Sequence, residues 1–83
     1  MRVSLAEVRE VFDRLLTGES RKVASAWALE RMQAADAGAI IYEPQDAESR
    51  IWVAITFLGG VDLITDMAGN YLYGPLDFAD NRP

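Results

Sequence analysis

The chain has 83 residues, 51% of them hydrophobic and 25% charged, with a net charge of -5 and with neither cysteine nor histidine. This composition is typical of one small globular domain, and a chain of this length buries only about 60% of its unfolded surface. Without imidazole or thiol groups, the Ser-His and Cys-His nucleophiles, disulfides and ordinary zinc sites are excluded. We therefore expect a non-catalytic protein that holds no metal and no cofactor.

The excess of negative charge lies in the second half of the chain. Residues 1–42 contain six acidic and six basic residues, whereas the residues beyond Tyr42 contain seven acidic and two basic ones. This distribution disfavours nucleic acid, whose phosphates attract the opposite charge, and it favours an encounter with a basic protein surface. The alternative interpretation is that the acidic residues only keep the protein soluble.

The first ten residues do not have the pattern of a signal peptide, because charged residues interrupt them at short intervals. No apolar run in the chain approaches the roughly 18 residues that a membrane span needs. We therefore expect a cytoplasmic protein that does not associate with a membrane.

Ser4 and Glu7 have the spacing of a capping box, which predicts the start of a helix. Apolar residues then recur at spacings of three and four until Gly18 ends the helix. The face that they form consists of Leu5, Val8, Val11, Phe12, Leu15 and Leu16. This pattern indicates an amphipathic helix that packs in the core.

A second helix is predicted over residues 21–37, with Ser20 as its cap and Gly38 at its end. The short connection to the first helix makes the two helices antiparallel neighbours. Small residues and one tryptophan dominate the predicted inward face, which consists of Val23, Ala24, Trp27, Ala28, Met32 and Ala35.

Arg31 lies in the middle of this inward face. One interpretation makes it the ligand of an anion at a binding site. The other makes it a structural charge, with a packed stem and a head group paired with an acidic residue of the C-terminal half, as desolvated charges usually are. We expect the structural role.

Residues 51–58 are the most apolar stretch of the chain and are compatible with a strand or a helix. A helix is favoured because Asp46 can cap it and Gly59 can take the left-handed position at its end. Its inward face would consist of Ala47, Ile51, Ala54, Ile55 and Leu58, with Trp52 at the margin. Val53 and Phe57 form a second apolar pair, which is a possible interface.

The predicted fold class is therefore all-α, a compact bundle of about four helices in one domain. If residues 51–58 were a strand, residues 39–42 would pair with them across a hairpin. The alternative fold is then α+β, with two helices packed on a small antiparallel sheet.

The C-terminal segment begins with Asp62, Asp66 and Asn70 at intervals of four, a spacing that superficially suggests a cation site. The alternating ligands, central glycine and distal glutamate of a calcium loop are missing, so we expect a turn at residues 68–70 instead. Pro75 at a first helical position then predicts a short final helix with Leu76 and Phe78 facing inward.

The candidate partner-binding residues lie in this segment, because its acids alternate with two tyrosines and no base intervenes. They are Asp62, Asp66, Tyr71, Tyr73, Asp77 and Asp80. Carboxylates would steer a basic partner, and the tyrosines would anchor it.

Three segments carry most of the distinctive sequence: SRKVASAWA at 20–28, IWVAITFLGGVDL at 51–63 and YLYGPLDF at 71–78. Together they resemble a group of short bacterial proteins associated with the immunity proteins of polymorphic toxin systems. Size, acidity and helical build are also similar to those of nuclease-colicin immunity proteins. The resemblance implies a small protein that neutralises a toxin by binding it.

The sequence therefore predicts an interaction module, an immunity-type or antitoxin-like inhibitor whose partner is a toxin domain with a basic surface. A structural or regulatory subunit that forms a homo-oligomer through Val53 and Phe57 is the alternative. An enzyme that works with carboxylates only is disfavoured, because so small a chain has little room for a cleft of several hundred Å³.

Overall fold

The computed structural model describes residues 1–63, 71 and 73–83. Its elements are, in chain order, β1 (Arg2–Ser4), α1 (Leu5–Leu16), α2 (Arg21–Asp36), β2 (Ile41–Glu43), a 3-10 turn (Gln45–Ala47), α3 (Glu48–Gly59) and α4 (Pro75–Asn81). The described residues thus form four α-helices and a small two-stranded sheet. The predicted helices are present, but the all-α class omits this sheet.

The sheet joins the first residues of the chain to the segment after α2. β1 and β2 are parallel, with Arg2 opposite Ile41 and Ser4 opposite Glu43. Val3, in the middle of β1, is fully buried, so the sheet closes one end of the core. The alternative antiparallel hairpin is wrong, because residues 51–58 are helical and the strand formed by residues 41–43 pairs with β1.

Helix α1 begins as predicted. The Ser4 hydroxyl accepts a hydrogen bond from the Glu7 backbone N–H at 3.0 Å, and Leu5, Val8, Val11, Phe12 and Leu15 are buried. Gly18 has a φ of 102°, a value that favours glycine and lets the chain turn towards α2.

Helix α2 has most of its predicted inward face, since Trp27 and Met32 pack partly buried on the core, but Val23 does not belong to that face. Its buried residues are Ala24, Ser25 and Ala28, whereas Val23 is exposed. The small side chains let α3 approach closely, and the Ser25 hydroxyl donates to the Gly59 carbonyl oxygen at 3.1 Å. Ser20 stands at the cap position, but its side chain makes no capping hydrogen bond.

Helix α3 is the central element, since it packs against both α1 and α2. Its buried face is the predicted one, formed by Ile51, Ala54, Ile55 and Leu58 together with Ala47 just before the helix. Asp46 does not cap α3, because it lies within the preceding 3-10 turn. Gly59 is helical rather than left-handed, and a Cβ atom there would lie only 3.1 Å from the Met32 sulfur.

Helix α4 packs on α1. The Gly74 backbone N–H donates to Oδ2 of Asp77 at 2.8 Å, which satisfies a free donor at the start of the helix. Phe78 is buried as predicted, but Leu76 is 82% exposed, so the prediction of an inward Leu76 is wrong. The two residues are about 200° apart on a helix, and only one of them can face α1.

Candidate functional site

The side chain of Arg21, at the first position of α2, joins three parts of the C-terminal half. Its Nη1 atom donates to the carbonyl oxygens of Val61, at 3.0 Å, and Tyr73, at 2.6 Å. Its guanidinium carbon lies 4.0 Å from the centre of the Tyr71 ring and 4.8 Å from that of Phe78. We call this group of five residues the Arg21 junction. It links the carbonyl groups of Val61 and Tyr73 to the start of α2.

The sequence pattern gives little indication that Arg21 has this role. The two carbonyl groups that accept its hydrogen bonds lie 40 and 52 residues further along the chain, so the local pattern contains no sign of them. An arginine at the first position of a helix is also unfavourable for the helix dipole, which prefers an acidic residue there. That mismatch is the one signal in the sequence that Arg21 has another role.

The two tyrosines predicted as anchors are placed differently. Tyr71 is 47% exposed, and its ring stacks against Arg21. Tyr73 is half-buried and packs on Phe57, with 4.6 Å between the ring centres. Tyr71 is therefore an accessible aromatic ring in contact with Arg21, whereas Tyr73 belongs to the aromatic packing of the core.

The predicted acidic residues also divide. Asp77 is occupied as the hydrogen-bond acceptor at the start of α4, whereas Asp80 is exposed on the same helix and Asp62 is half-buried. Within the described part of the chain, neither Asp62 nor Asp80 makes an ion pair. Asp66 and the predicted turn at 68–70 lie outside the described residues.

The bases of the C-terminal half do little to neutralise its acids. Arg82 instead donates to both carboxylate oxygens of Asp13 in α1, at 2.8 and 3.2 Å. Hydrogen bonding from Arg82 lowers the pKa of the Asp13 carboxyl below its usual value. Arg50 makes no ion pair with any described residue, and Glu43 is paired with Arg2 of the N-terminal half at 3.3 Å. The negative charge after Glu43 is thus left largely uncompensated.

The alternative interface, Val53 and Phe57, is divided between surface and core. Val53 is 63% exposed and lines an open, mainly apolar pocket of about 280 Å³ with Ala54 and Pro83. Phe57, one turn later, stacks on Phe12 with 5.6 Å between ring centres. The Phe57 side chain is therefore part of the core packing, and Val53 is the member of the pair that lies at the surface.

Arg31 has a structural environment, but a different partner from the one predicted. Its Nη1 atom donates to the Trp27 carbonyl oxygen at 3.0 Å, and its guanidinium carbon lies 4.0 Å from the Trp27 ring centre. The carboxylate paired with it is that of Glu30, at 3.8 Å, in its own helix rather than in the C-terminal half. The contact with Trp27 follows from the spacing of four residues, which places Arg31 directly over Trp27 on the helix surface. Its side chain is only 15% exposed.

No described side chains form a group of three or more possible metal ligands of the His, Cys, Asp or Glu type. In the same part of the chain, no helix combines the length and the apolar character needed to cross a membrane. Among the predicted partner-binding residues, the exposed Tyr71 ring and the carboxylates without an ion-pair partner are the groups that remain accessible for a binding role.

Comparison of the chain with protein-family models, with curated proteins and with solved structures gave no match in any of the three. The function therefore has to be inferred from the residues of the molecule itself.

Proposed function

We propose that the protein is an interaction module, an immunity-type inhibitor that binds a basic surface of a toxin domain. The observation that carries this proposal is the combination of Tyr71, half-exposed and held by Arg21, with acids of the C-terminal half that have no basic partner among the described residues. A tyrosine side chain has few rotatable bonds and loses little conformational entropy on binding, so it is suited to anchor a complex. The protein needs no catalytic group, metal or cofactor for this role.

The two kinds of residue have different effects on binding. Exposed carboxylates such as Asp80 raise the rate of encounter with a basic partner and disfavour acidic partners, including nucleic acid. The aromatic anchor slows dissociation, because its removal leaves a pocket on the partner unfilled. Toxin neutralisation requires both fast capture and slow release.

The experiment that tests the proposal is co-expression with the product of the adjacent gene. We expect that product to inhibit growth alone, to be neutralised by this protein, and to form a complex with it that survives size-exclusion chromatography. The Tyr71→Ala variant should protect less well, whereas Lys22→Ala, which removes an exposed side chain outside the Arg21 junction, should protect fully. An adjacent product that is not toxic, or a toxic one that is neither bound nor neutralised, would contradict the proposal.

A second candidate function is a homo-oligomeric structural or regulatory subunit. The observation that favours it is the exposed Val53 beside the apolar pocket that it shares with Ala54 and Pro83. Size-exclusion chromatography with light scattering separates the two functions. A dimer at micromolar concentration that Val53→Asp converts to a monomer would favour the second, and a monomer throughout would favour the first.

A further inference from the structure

A pocket separate from the one beside Val53 lies between the end of α2, strand β2 and the first turns of α3. We call it the Trp52 pocket. Its volume is about 340 Å³, and it does not involve the residues of the Arg21 junction. The residues that line it are Ala35, Asp36, Tyr42, Glu48, Ser49 and Trp52. Aromatic rings and carboxylates are thus combined around one cavity.

Trp52 is placed unusually for so small a domain. It is half-buried, yet it is not among the half-buried apolar side chains that pack on the core, as Trp27 is. A chain of this length needs nearly all its large apolar groups to stabilise its core. The Trp52 ring instead forms a wall of the pocket, where it is accessible to a ligand.

The carboxylates of the pocket are close to its aromatic groups and are available to a cation. Burial and the neighbouring negative charge of Glu48 raise the pKa of the Tyr42 phenol, which agrees with the place of these two side chains in one pocket lining. Asp36 and Glu48 are both exposed, and within the described residues neither makes an ion pair. The pocket lining therefore combines an indole, a phenol and two carboxylates without an ion-pair partner among the described residues.

A neighbouring pocket of about 430 Å³ shares Tyr42 and Glu48 with the Trp52 pocket. Ile40, Ile41 and Gln45 complete its lining, and Ile41 is exposed at the surface of β2. This neighbouring pocket is suited to the backbone and apolar side chains next to a group that enters the Trp52 pocket. The combined surface is large enough for part of a polypeptide.

We propose that the Trp52 pocket receives an arginine side chain of the protein partner. This inference rests on the proposed function and names the group that is recognised. A guanidinium is planar, stacks on indole and phenol rings, and donates several hydrogen bonds to carboxylates. A hydrated metal ion is a poorer fit, because two carboxylates supply few of the oxygen ligands that Ca²⁺ requires and the indole supplies none. Anions are disfavoured by the charge of the two carboxylates.

The test uses N-acetyl-arginine amide as the probe, with N-acetyl-citrulline amide as its neutral counterpart of the same shape. The indole N–H signals of the two tryptophans are followed by ¹H–¹⁵N NMR at constant ionic strength, and Trp52→Phe assigns them. We expect the Trp52 signal to shift in a saturable manner with a dissociation constant on the order of millimolar, since one side chain makes few contacts. The Trp27 signal should not move, and the citrulline probe should have no effect.

Variants of the carboxylates then distinguish binding in the Trp52 pocket from general electrostatic attraction to an acidic protein. Glu48→Gln and Asp36→Asn should each weaken binding of the arginine probe about two- to fivefold, the range for an exposed ion pair. Asp46→Asn, an exposed acid nearby that lines neither pocket, is the matched control and should weaken it less. Equal shifts with the citrulline probe, equal shifts of Trp27, or equal effects of Glu48→Gln and Asp46→Asn would overturn the inference. Because no partner is needed, this result is independent of the co-expression experiment.

Discussion

Arg21 connects distant parts of the molecule through a single charged side chain. Its hydrogen bonds to Val61 and Tyr73 satisfy carbonyl groups that follow α3 and precede α4, and its planar head group lies close to the rings of Tyr71 and Phe78. A lysine would provide the charge and the hydrogen-bond donors but not the planar head group that stacks on the rings. Arg21 therefore links the start of α2 to Val61, Tyr73 and the rings of Tyr71 and Phe78.

Replacing Arg21 by alanine should lower the free energy of unfolding by about 1 to 3 kcal/mol, because it leaves part-buried carbonyl groups without donors and removes the stacking. Lys22→Ala is the matched control, since Lys22 is exposed and takes part in none of these contacts. It should change stability by no more than about 0.5 kcal/mol. Urea unfolding followed by circular dichroism measures both. Equal losses for the two variants would contradict this role of Arg21.

Tyr71→Ala tests the anchor directly. Removal of an exposed aromatic anchor should raise the dissociation rate of the partner and cost roughly 2 kcal/mol or more in binding, with a smaller effect on the association rate. Surface plasmon resonance with the purified partner separates the two rates. Leu76→Ala, which removes another exposed apolar side chain of the same half, is the control. A Tyr71 variant that dissociates no faster than the Leu76 variant would show that Tyr71 is not an anchor.

The raised pKa of Tyr42 gives the stability of the fold a dependence on alkaline pH. Above the ordinary value of 10.0, the phenol loses its proton in the unfolded chain while the folded protein still retains it. Unfolding then releases a proton, so stability falls as the pH rises through about 10. Tyr42→Phe should reduce this slope, and Glu48→Gln should reduce it in part, because burial remains. The unfolding free energies of the parent and the two variants are measured between about pH 9 and 11. If they fall equally, the Tyr42 phenol is not the source of this dependence.

Helix α3 packs against both α1 and α2. Truncation of a side chain to alanine should therefore destabilise the fold strongly on its buried side and weakly on its exposed side. Ile55→Ala removes a fully buried side chain and should cost about 2 to 5 kcal/mol, because the surrounding groups cannot collapse into the cavity. Val53→Ala on the exposed side of the same helix should cost less than about 1 kcal/mol. Thermal or urea unfolding measures the difference. Similar losses at both positions would mean that the buried side has been assigned incorrectly.

The sequence predicted α1 and α3 because bulky apolar residues recur there at helical spacing, although residues 51–58 were also compatible with a strand and the predicted inward Leu16 is exposed. The inward face of α2 was predicted except at two positions, Val23, which is apolar yet exposed, and Ser25, which is polar yet buried. Packing, rather than side-chain hydrophobicity, selects the face with Ala24, Ser25 and Ala28, where small residues allow α3 to come close. Ser20 has the right residue type for a cap but makes no capping bond.

The sheet escaped prediction for a different reason. β1 and β2 have three residues each, and their pairing joins residues 39 positions apart, such as Arg2 and Ile41. No local pattern contains information on a contact of that range. The candidate site could not be predicted for the same reason. The exposure of Tyr71 and its contact with Arg21 both depend on the fold. Which acids have no basic partner also depends on the fold, because Arg82 is committed to Asp13 on α1.

For the molecule as a whole, the uncompensated charge should appear in the kinetics of partner binding. Asp62→Asn and Asp80→Asn, made singly, should lower the association rate and weaken its dependence on salt, because exposed charges steer encounter and are screened over about 10 Å at 0.1 M salt. The effect should be larger for the exposed Asp80 than for the half-buried Asp62. Stability should be nearly unchanged, since neither residue makes an ion pair with the described residues. Stopped-flow association at several salt concentrations measures the effect.

The control for these variants is Glu19→Gln, which removes the same charge from the half of the chain in which acids and bases balance. It should alter the association rate less. If binding is indifferent to salt, to the two aspartates and to Tyr71, the acidic residues only maintain solubility, and the contact must be sought at Val53.

The parallel pairing of β1 with β2 also has a consequence for the order of folding. It closes a loop that contains all of α1 and α2, and in a flexible chain closing about 39 residues costs about 3 kcal/mol of entropy. Strands of three residues form too few hydrogen bonds to offset this cost by themselves. The sheet therefore forms late, after the helices have packed and brought its two strands together. Substitutions at Val3 should accordingly accelerate unfolding far more than they retard refolding.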